Sequence, residues 1–282
     1  MKIHYMTADR LNLNKILFDR LPPGTRSDLI INRYGVEIVK GHGFIAIRTP
    51  GQPSYYFGNL FFLNDPGSHP LEFWLDQFQR TFLDIDGIKH CTLVWNCPIP
   101  KGEFLQRLNN EKFHLDHLDV RAVTRLQWLA PYMVLPEGLV IRDLVSERDW
   151  QQWFVLNLAC RDPAHTEAYY LPYLEGQRAN YQRLLDENQG YHTGVFSNDG
   201  QLVAFAGVYF LNNLGRFQFV YTHPDYRRKG LCSLLLTRLA NRGFSRAEQL
   251  IILADKHDKA THLYAKLGFK LLGVESSACR WT

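Results

Sequence analysis

The stretch Val220-Tyr221-Thr222-His223-Pro224-Asp225-Tyr226-Arg227-Arg228-Lys229-Gly230-Leu231-Cys232-Ser233 decides how the C-terminal half of this 282-residue chain is read. Gln218 to Tyr221 is mostly apolar and aromatic, as in a strand, and Pro224 ends it. Leu231, Leu234, Leu235 and Leu239 then recur at helical spacing down to Gly243. Between strand and helix lie three cations and a glycine. The unpaired N–H groups of a helix start, the positive end of its dipole and the side chains of Arg227, Arg228 and Lys229 therefore converge on one place. A diphosphate matches that combination of charge and donors.

Downstream, Gln249 to Ala254 is an apolar run rich in Ile and Leu, leading into Asp255-Lys256-His257-Asp258-Lys259-Ala260-Thr261-His262-Leu263-Tyr264-Ala265-Lys266-Leu267-Gly268-Phe269. Ala260, Leu263, Tyr264 and Leu267 share one helical face, and Gly268 supplies the stop. Arg227-x-x-Gly230-x-Cys232 resembles the Arg/Gln-x-x-Gly-x-Gly/Ala loop of the GNAT superfamily, the acyl-CoA-dependent N-acyltransferases. Cys232 stands where a Gly or Ala is usual. The second segment is similar to that family's Asn-x-x-Ala-x-x-Leu-Tyr-x-x-Leu-Gly-Phe signature, with His257 at the asparagine position. Two motifs in the right order and at the right separation are far more specific than either alone.

Around these motifs the elements follow the family's order. Leu139 to Leu144 reads as a strand after Pro131, Pro136 and Gly138; Glu147 to Leu158 and Tyr170 to Glu187 read as helices. Tyr191 to Phe196 and Leu202 to Phe210 alternate around Asn198-Asp199-Gly200, a hairpin signal, and Arg216 to Tyr221 follows. The resemblance covers residues 138 to 282 and implies an α/β (α+β) fold with a mixed, mostly antiparallel sheet and flanking helices. Only Lys270 to Trp281 remains for the final strands, so a shortened last hairpin is expected.

The first half, residues 1 to 135, carries an echo of the second. Tyr55 to Leu63 is strand-like and ends Asn64-Asp65-Pro66; Leu71 to Phe82 is amphipathic; Cys91 to Trp95 is an apolar strand; Glu103 to Leu108 begins a helix. These landmarks precede their counterparts by nearly one offset. The Arg-x-x-Gly loop has no counterpart, because Gly67, Ser68, His69 and Pro70 follow Pro66. The expectation is a tandem chain whose N-terminal half is a degenerate GNAT-like copy unable to bind CoA in the usual manner, with an unrelated α/β domain as the alternative.

Composition bounds the rest. The formal net charge of +4 comes without a long basic block, which argues against nucleic acid as a partner. No run approaches the roughly 20 apolar residues that span a bilayer, and Met1-Lys2-Ile3-His4-Tyr5-Met6 lacks an export signal, so a soluble, cytoplasmic protein without a membrane partner is expected. Five cysteines without metal-type spacing suit a reducing compartment. His114-x-x-His117 would pair two imidazoles on a helix, but no third ligand accompanies them, and no metal site is expected.

What the resemblance implies chemically is an N-acetyltransferase with acetyl-CoA as co-substrate and an amine acceptor, transferring by direct attack. In the family the pantetheine arm pairs with the edge of the fourth strand, here Phe219, Val220 and Tyr221. The diphosphate rests on Arg227, Arg228, Lys229, Gly230, Leu231, Cys232 and Ser233, and His257 is placed to contact the arm. Tyr264 corresponds to the tyrosine that faces the thioester sulfur and serves as general acid. A phenol near pKa ~10 facing a thiol near ~8.5 is uphill by roughly 2 kcal/mol, small beside the ~8–23 kcal/mol by which enzymes lower barriers. The general base stays open among Asp162, His165 and Glu167, in the loop bordering the acceptor site, and Asp255 and His257. A non-catalytic module binding acyl-CoA or a partner protein is the alternative function. A homodimer, the acceptor's identity and the acyl length are left open.

Overall fold

The computed structural model describes residues 21–161, 166–255 and 257–281. Its elements, in chain order, are α1 (Pro23–Ile31), β1 (Glu37–Lys40), β2 (Phe44–Arg48), β3 (Leu60–Leu63), α2 (Leu71–Phe82), β4 (His90–Trp95), α3 (Glu103–Asn110) and β5 (His114–Thr124). They continue with β6 (Leu139–Asp143), α4 (Glu147–Cys160), α5 (Glu167–Asp186), β7 (Gly190–Ser197), β8 (Leu202–Leu211), β9 (Leu214–Thr222), α6 (Leu231–Gly243), β10 (Gln249–Asp255), α7 (Ala260–Lys266) and β11 (Lys270–Trp281). Of the described residues, those at 21–120, 253–258 and 271–281 form one unit and those at 121–252 and 259–270 form another.

In the first unit, β1, β2 and β3 pair antiparallel, β3 and β4 run parallel with Phe61 opposite Leu93, and β4 pairs antiparallel with β11. The helical spacing of Leu71, Trp74, Phe78 and Phe82 buries one stripe of α2 in a core with Phe44, Phe61, Leu93 and Trp95. Phe44 stacks on Phe61 with centroids 4.0 Å apart. The loop before α2 satisfies itself: Asp65 accepts from the Gly67 N–H, and the Trp74 indole donates to the Pro66 carbonyl at 3.1 Å.

Two expectations change here. The His114-x-x-His117 pair sits on strand β5, where residues three apart point to opposite faces, so the imidazoles do not meet. His117 Nδ1 instead contacts Ser276 Oγ at 3.0 Å, and among the described residues no group of three or more metal-binding side chains occurs. The chain also ends in one twelve-residue strand rather than a shortened hairpin, and Ala278 and Cys279 of that strand are buried beside β4. None of the five cysteines is in a disulfide.

In the second unit the strand order is β10-β9-β8-β7-β6, antiparallel except for the β9–β10 pair. The first unit repeats this pattern with one ladder fewer, two antiparallel ladders followed by one parallel pair with an amphipathic helix between its strands. Strand alternation gives the sheet two different faces. His192 and Tyr209 meet the helices α4 and α5 through Trp150, Trp153 and Tyr181, whereas Tyr191 lies under Arg242 of α6. A capping box opens α4: Ser146 accepts from the Asp149 N–H while the Asp149 carboxylate takes the Ser146 N–H. The same carboxylate receives Arg142 through two bonds of 2.7 and 2.8 Å, which with these backbone donors hold it far below the usual carboxylate range. Among the described residues no helix is long and apolar enough to cross a membrane.

Candidate active site

β9 begins as a regular strand and then changes face. Val208 of β8 opposes Phe217 and Gly207 opposes Gln218, but Phe205 opposes Tyr221, so β9 carries one residue more than β8 across this interval. The extra residue is a β-bulge, and Phe219 within it has φ +48, a left-handed conformation that side chains disfavour. Phe217 lies 5.8 Å from Phe269, whereas Phe219 packs 5.7 Å from Trp153 and 5.9 Å from Tyr181. Tyr221 follows Phe219 to that side, 5.7 Å from Phe205.

A buried polar pair backs the bulge. His192 Nδ1 and the Tyr209 hydroxyl are 2.6 Å apart, and burial holds His192 neutral with its pKa lowered to about 3. Gly207 makes room for them, because a Cβ there would stand 2.8 Å from the Tyr209 ring and 3.1 Å from His192 Nδ1.

On its other edge β9 has a short ladder. Among the described residues β10 pairs with it at Leu214, Gly215 and Arg216, and from Phe217 onward no pairing continues. Phe219, Val220 and Tyr221 therefore present strand backbone on that edge.

The chain then turns into α6. His223 caps the short turn Pro224–Tyr226, Arg227 Nε donates to the Thr222 carbonyl at 3.3 Å, and Lys229 sits 4.4 Å over the Tyr226 ring. Arg228 has φ +61 and Gly230 φ +76. Gly230 occupies the N-cap of α6, offers no side-chain acceptor, and has no atom within 4 Å of where a Cβ would be. The first-turn N–H groups at Leu231, Cys232 and Ser233 consequently face an open space with the helix dipole behind them. That space is a pocket of about 270 Å³ lined by Thr222, Tyr226, Arg227, Arg228, Gly230, Leu231, Cys232, Ser233 and Leu263. An anion of diphosphate size fits the charge, the donors and the room.

The fold thus brings six of the sequence-predicted residues, Arg227, Arg228, Gly230, Leu231, Cys232 and Ser233, onto one pocket. Lys229 is exposed and directed at Tyr226, and Cys232 is half-buried on the pocket wall. Tyr264 lies on α7 next to the pocket residue Leu263, is 6 % exposed, and has its ring 6.3 Å from Phe269. His257 is exposed, its N–H donating to Asp255 Oδ1 at 2.7 Å, and it does not line the pocket. Asp162 and His165 lie outside the described residues, and Glu167 is exposed in the first turn of α5. Sequence reasoning missed Tyr170, which hydrogen-bonds Tyr221; burial first, and then the charge and hydrogen bond of Tyr221, raise the Tyr170 pKa. It also missed Cys160, whose Sγ is 4.0 Å from the Thr222 carbonyl and whose thiol burial pushes up.

Residues 149–269 match the model of the Acetyltransferase (GNAT) family. Over those residues the chain carries a GNAT domain. Among curated proteins no relative matches in sequence. Solved structures match over nearly the whole chain at low identity, and so speak to fold alone. A functionally unknown conserved protein from Staphylococcus epidermidis is 14% identical with a TM-score of 0.70, over 86% of this chain and 92% of its own. A GCN5-related N-acetyltransferase from Kribbella flavida is 17% identical with a TM-score of 0.62, over 90% and 93%. A tandem GNAT protein from the clavulanic acid biosynthesis pathway is 12% identical with a TM-score of 0.61, over 99% and 98%. The whole chain therefore shares the fold of a two-domain, tandem GNAT protein, and in the first unit Pro66 to Pro70 follow β3 where the second unit has its cation-bearing turn after β9.

Proposed function

We propose that the GNAT domain moves an acetyl group from acetyl-CoA to a primary amine of a small molecule or protein by direct attack. One observation carries the reading: the uncapped, glycine-opened start of α6, flanked by Arg227 and Arg228, faces a pocket of about 270 Å³. The diphosphate of acetyl-CoA would rest on Arg227 to Ser233, with Lys229 contributing charge from the rim. Phe219, Val220 and Tyr221 would offer backbone to the pantetheine arm, one N–H supporting the developing oxyanion, and His257 would contact that arm. Tyr264 would give its proton to the departing thiolate. The base stays unassigned, and Tyr170 on Tyr221 adds a hydroxyl relay beside the bulge.

A second reading, a non-catalytic module that keeps acyl-CoA for regulation, draws on the near-complete burial of Tyr264 at 6 % exposure. Calorimetry with acetyl-CoA, followed by free-thiol release against peptides, polyamines, aminoglycosides and amino acids, separates the two. Turnover with any amine, lowered about 10²–10³-fold in kcat by Tyr264→Phe with little change in KM, supports the enzyme. Binding without turnover across the panel supports the module. Absence of binding overturns both.

A further inference from the structure

Four buried polar atoms of the second unit have no hydrogen-bond partner among the described residues: Trp153 Nε1 and Asn157 Oδ1 on α4, Gln177 Nε2 on α5 and His192 Nε2 on β7. None of these residues is more than 1 % exposed. Native interiors pair nearly all such groups, either with protein or with ordered water.

The four belong to one cluster. The Trp153 ring is 6.2 Å from both Tyr181 and His192, and Tyr181 is 5.9 Å from His192. The Tyr181 hydroxyl donates to Gln177 Oε1 at 2.8 Å, and Asn157 Nδ2 donates to the Trp153 carbonyl at 2.8 Å. Each amide is thus fixed at one end and unpaired at the other. Trp153 lies by Tyr181 and Cys160 by Tyr170, so α4 and α5 run antiparallel and Asn157 comes level with the turn from Tyr173 to Gln177. Phe219 covers the cluster from the sheet, its ring 5.7 Å from Trp153, 5.9 Å from Tyr181 and 6.3 Å from Tyr173.

The chemistry of the unpaired set decides the occupant. Trp153 and Gln177 offer donors, Asn157 offers an acceptor, and His192 Nε2 is either, according to which of its nitrogens carries the proton. No side chain of the cluster is charged. Burial holds His192 neutral; Arg178 is turned to Glu147 and to the rings of Trp150 and Phe154, and Asp143 is bound by Arg242 and Thr193. A small neutral molecule that both gives and accepts is therefore required among closely packed rings. We propose that ordered water is held here, between α4, α5 and β7 behind the bulge. A buried water makes about three hydrogen bonds, so the four atoms call for about one or two molecules. Water so placed ties both helices to the sheet directly behind Phe219, the residue with positive φ. It does not supply the missing base, because the imidazole it meets takes up no proton until about pH 3. The site does not depend on the function proposed for the GNAT domain.

A high-resolution crystal structure of the full-length protein tests this directly. Ordered solvent should lie within hydrogen-bond distance of Asn157 Oδ1 and Gln177 Nε2 and reach Trp153 Nε1 or His192 Nε2. In solution, water-oxygen relaxation dispersion counts long-lived internal water, and its amplitude should fall in the double variant Asn157→Leu with Gln177→Leu relative to wild type. Asn157→Leu alone gives the same readout should the double variant fold poorly, and the wild-type crystal structure needs neither. Density in which the four atoms pair with one another or with other side chains, or an unchanged amplitude in a folded variant, would overturn the proposal.

Discussion

Phe217 and Phe219 stand two residues apart on one strand and pack on opposite faces of the sheet, the first 5.8 Å from Phe269 and the second 5.7 Å from Trp153. The bulge between β8 and β9 does this by adding one residue, and the positive φ of Phe219 is the local cost. Within ordinary strands glycine is about 0.5–1 kcal/mol worse than alanine. At this position the order should invert: Phe219→Gly and Phe219→Ala both lose the aromatic contacts, but the glycine variant should retain about 1 kcal/mol more stability in urea unfolding. An alanine variant equal to or better than glycine would show that the conformation carries no strain.

The α6 turn makes a kinetic prediction. Arg228 lines the pocket and is exposed, so Arg228→Ala should leave the melting temperature within about a degree while raising KM for acetyl-CoA about tenfold, kcat being little changed. Steady-state kinetics at two salt concentrations checks it, because the penalty should shrink as salt screens the wild-type interaction.

Asp149 sets an acid-side limit on stability. Its carboxylate is held low by Arg142 and two backbone N–H groups, so its contribution is fully present above the ordinary aspartate pKa of ~3.9 and fades as pH falls below it. Asp149→Asn should cost about 1.5–3 kcal/mol at pH 7. The gap to wild type, followed by chemical denaturation from pH 7 to 3, should hold to about pH 5 and narrow progressively below about 4, without closing by pH 3 because the folded carboxylate is held far below the usual range.

His192 acts in a higher window. The folded protein keeps it neutral down to about pH 3, while the unfolded chain takes up a proton near ~6.5, so the unfolded state gains stability as pH falls between these values. His192→Phe leaves Tyr209 without its partner and should be less stable at pH 7 by about 1–3 kcal/mol. The wild type should then lose up to about 1.4 kcal/mol per pH unit relative to the variant below pH 6. Parallel unfolding curves at all pH values would place His192 in contact with solvent.

Much of the second unit was legible because its signals are local. The helix from Leu231 to Gly243 and the strand beginning at Gln249 follow from periodicity, a proline and two glycines. The expected helices were only shorter than the observed α4 and α5, since end turns such as Glu167 to Tyr169 carry no apolar repeat. The bulge was not legible. Phe217, Phe219 and Tyr221 alternate as if they shared one face, and only the register with β8 reveals otherwise. In the first unit α2 emerged over its full length, from Leu71 to Phe82, but α1, β1 and β2 were overlooked because their short runs lack a strong pattern. His114 and His117 suggested a helix by spacing alone, whereas the partner that makes β5 a strand, Ser276 with its neighbours, lies 159 residues away from His117.

Residues 271–281 count with the first unit, and Ala278 and Cys279 fill its interior opposite Leu93 and Thr92. A strand far along the sequence thus completes the sheet that β1 to β4 begin. On the ribosome, β4 waits with an open edge until β11 has been made, whereas β6 to β10 can assemble beforehand. A premature stop after Lys270 would spare the cation-bearing pocket and injure the other half instead.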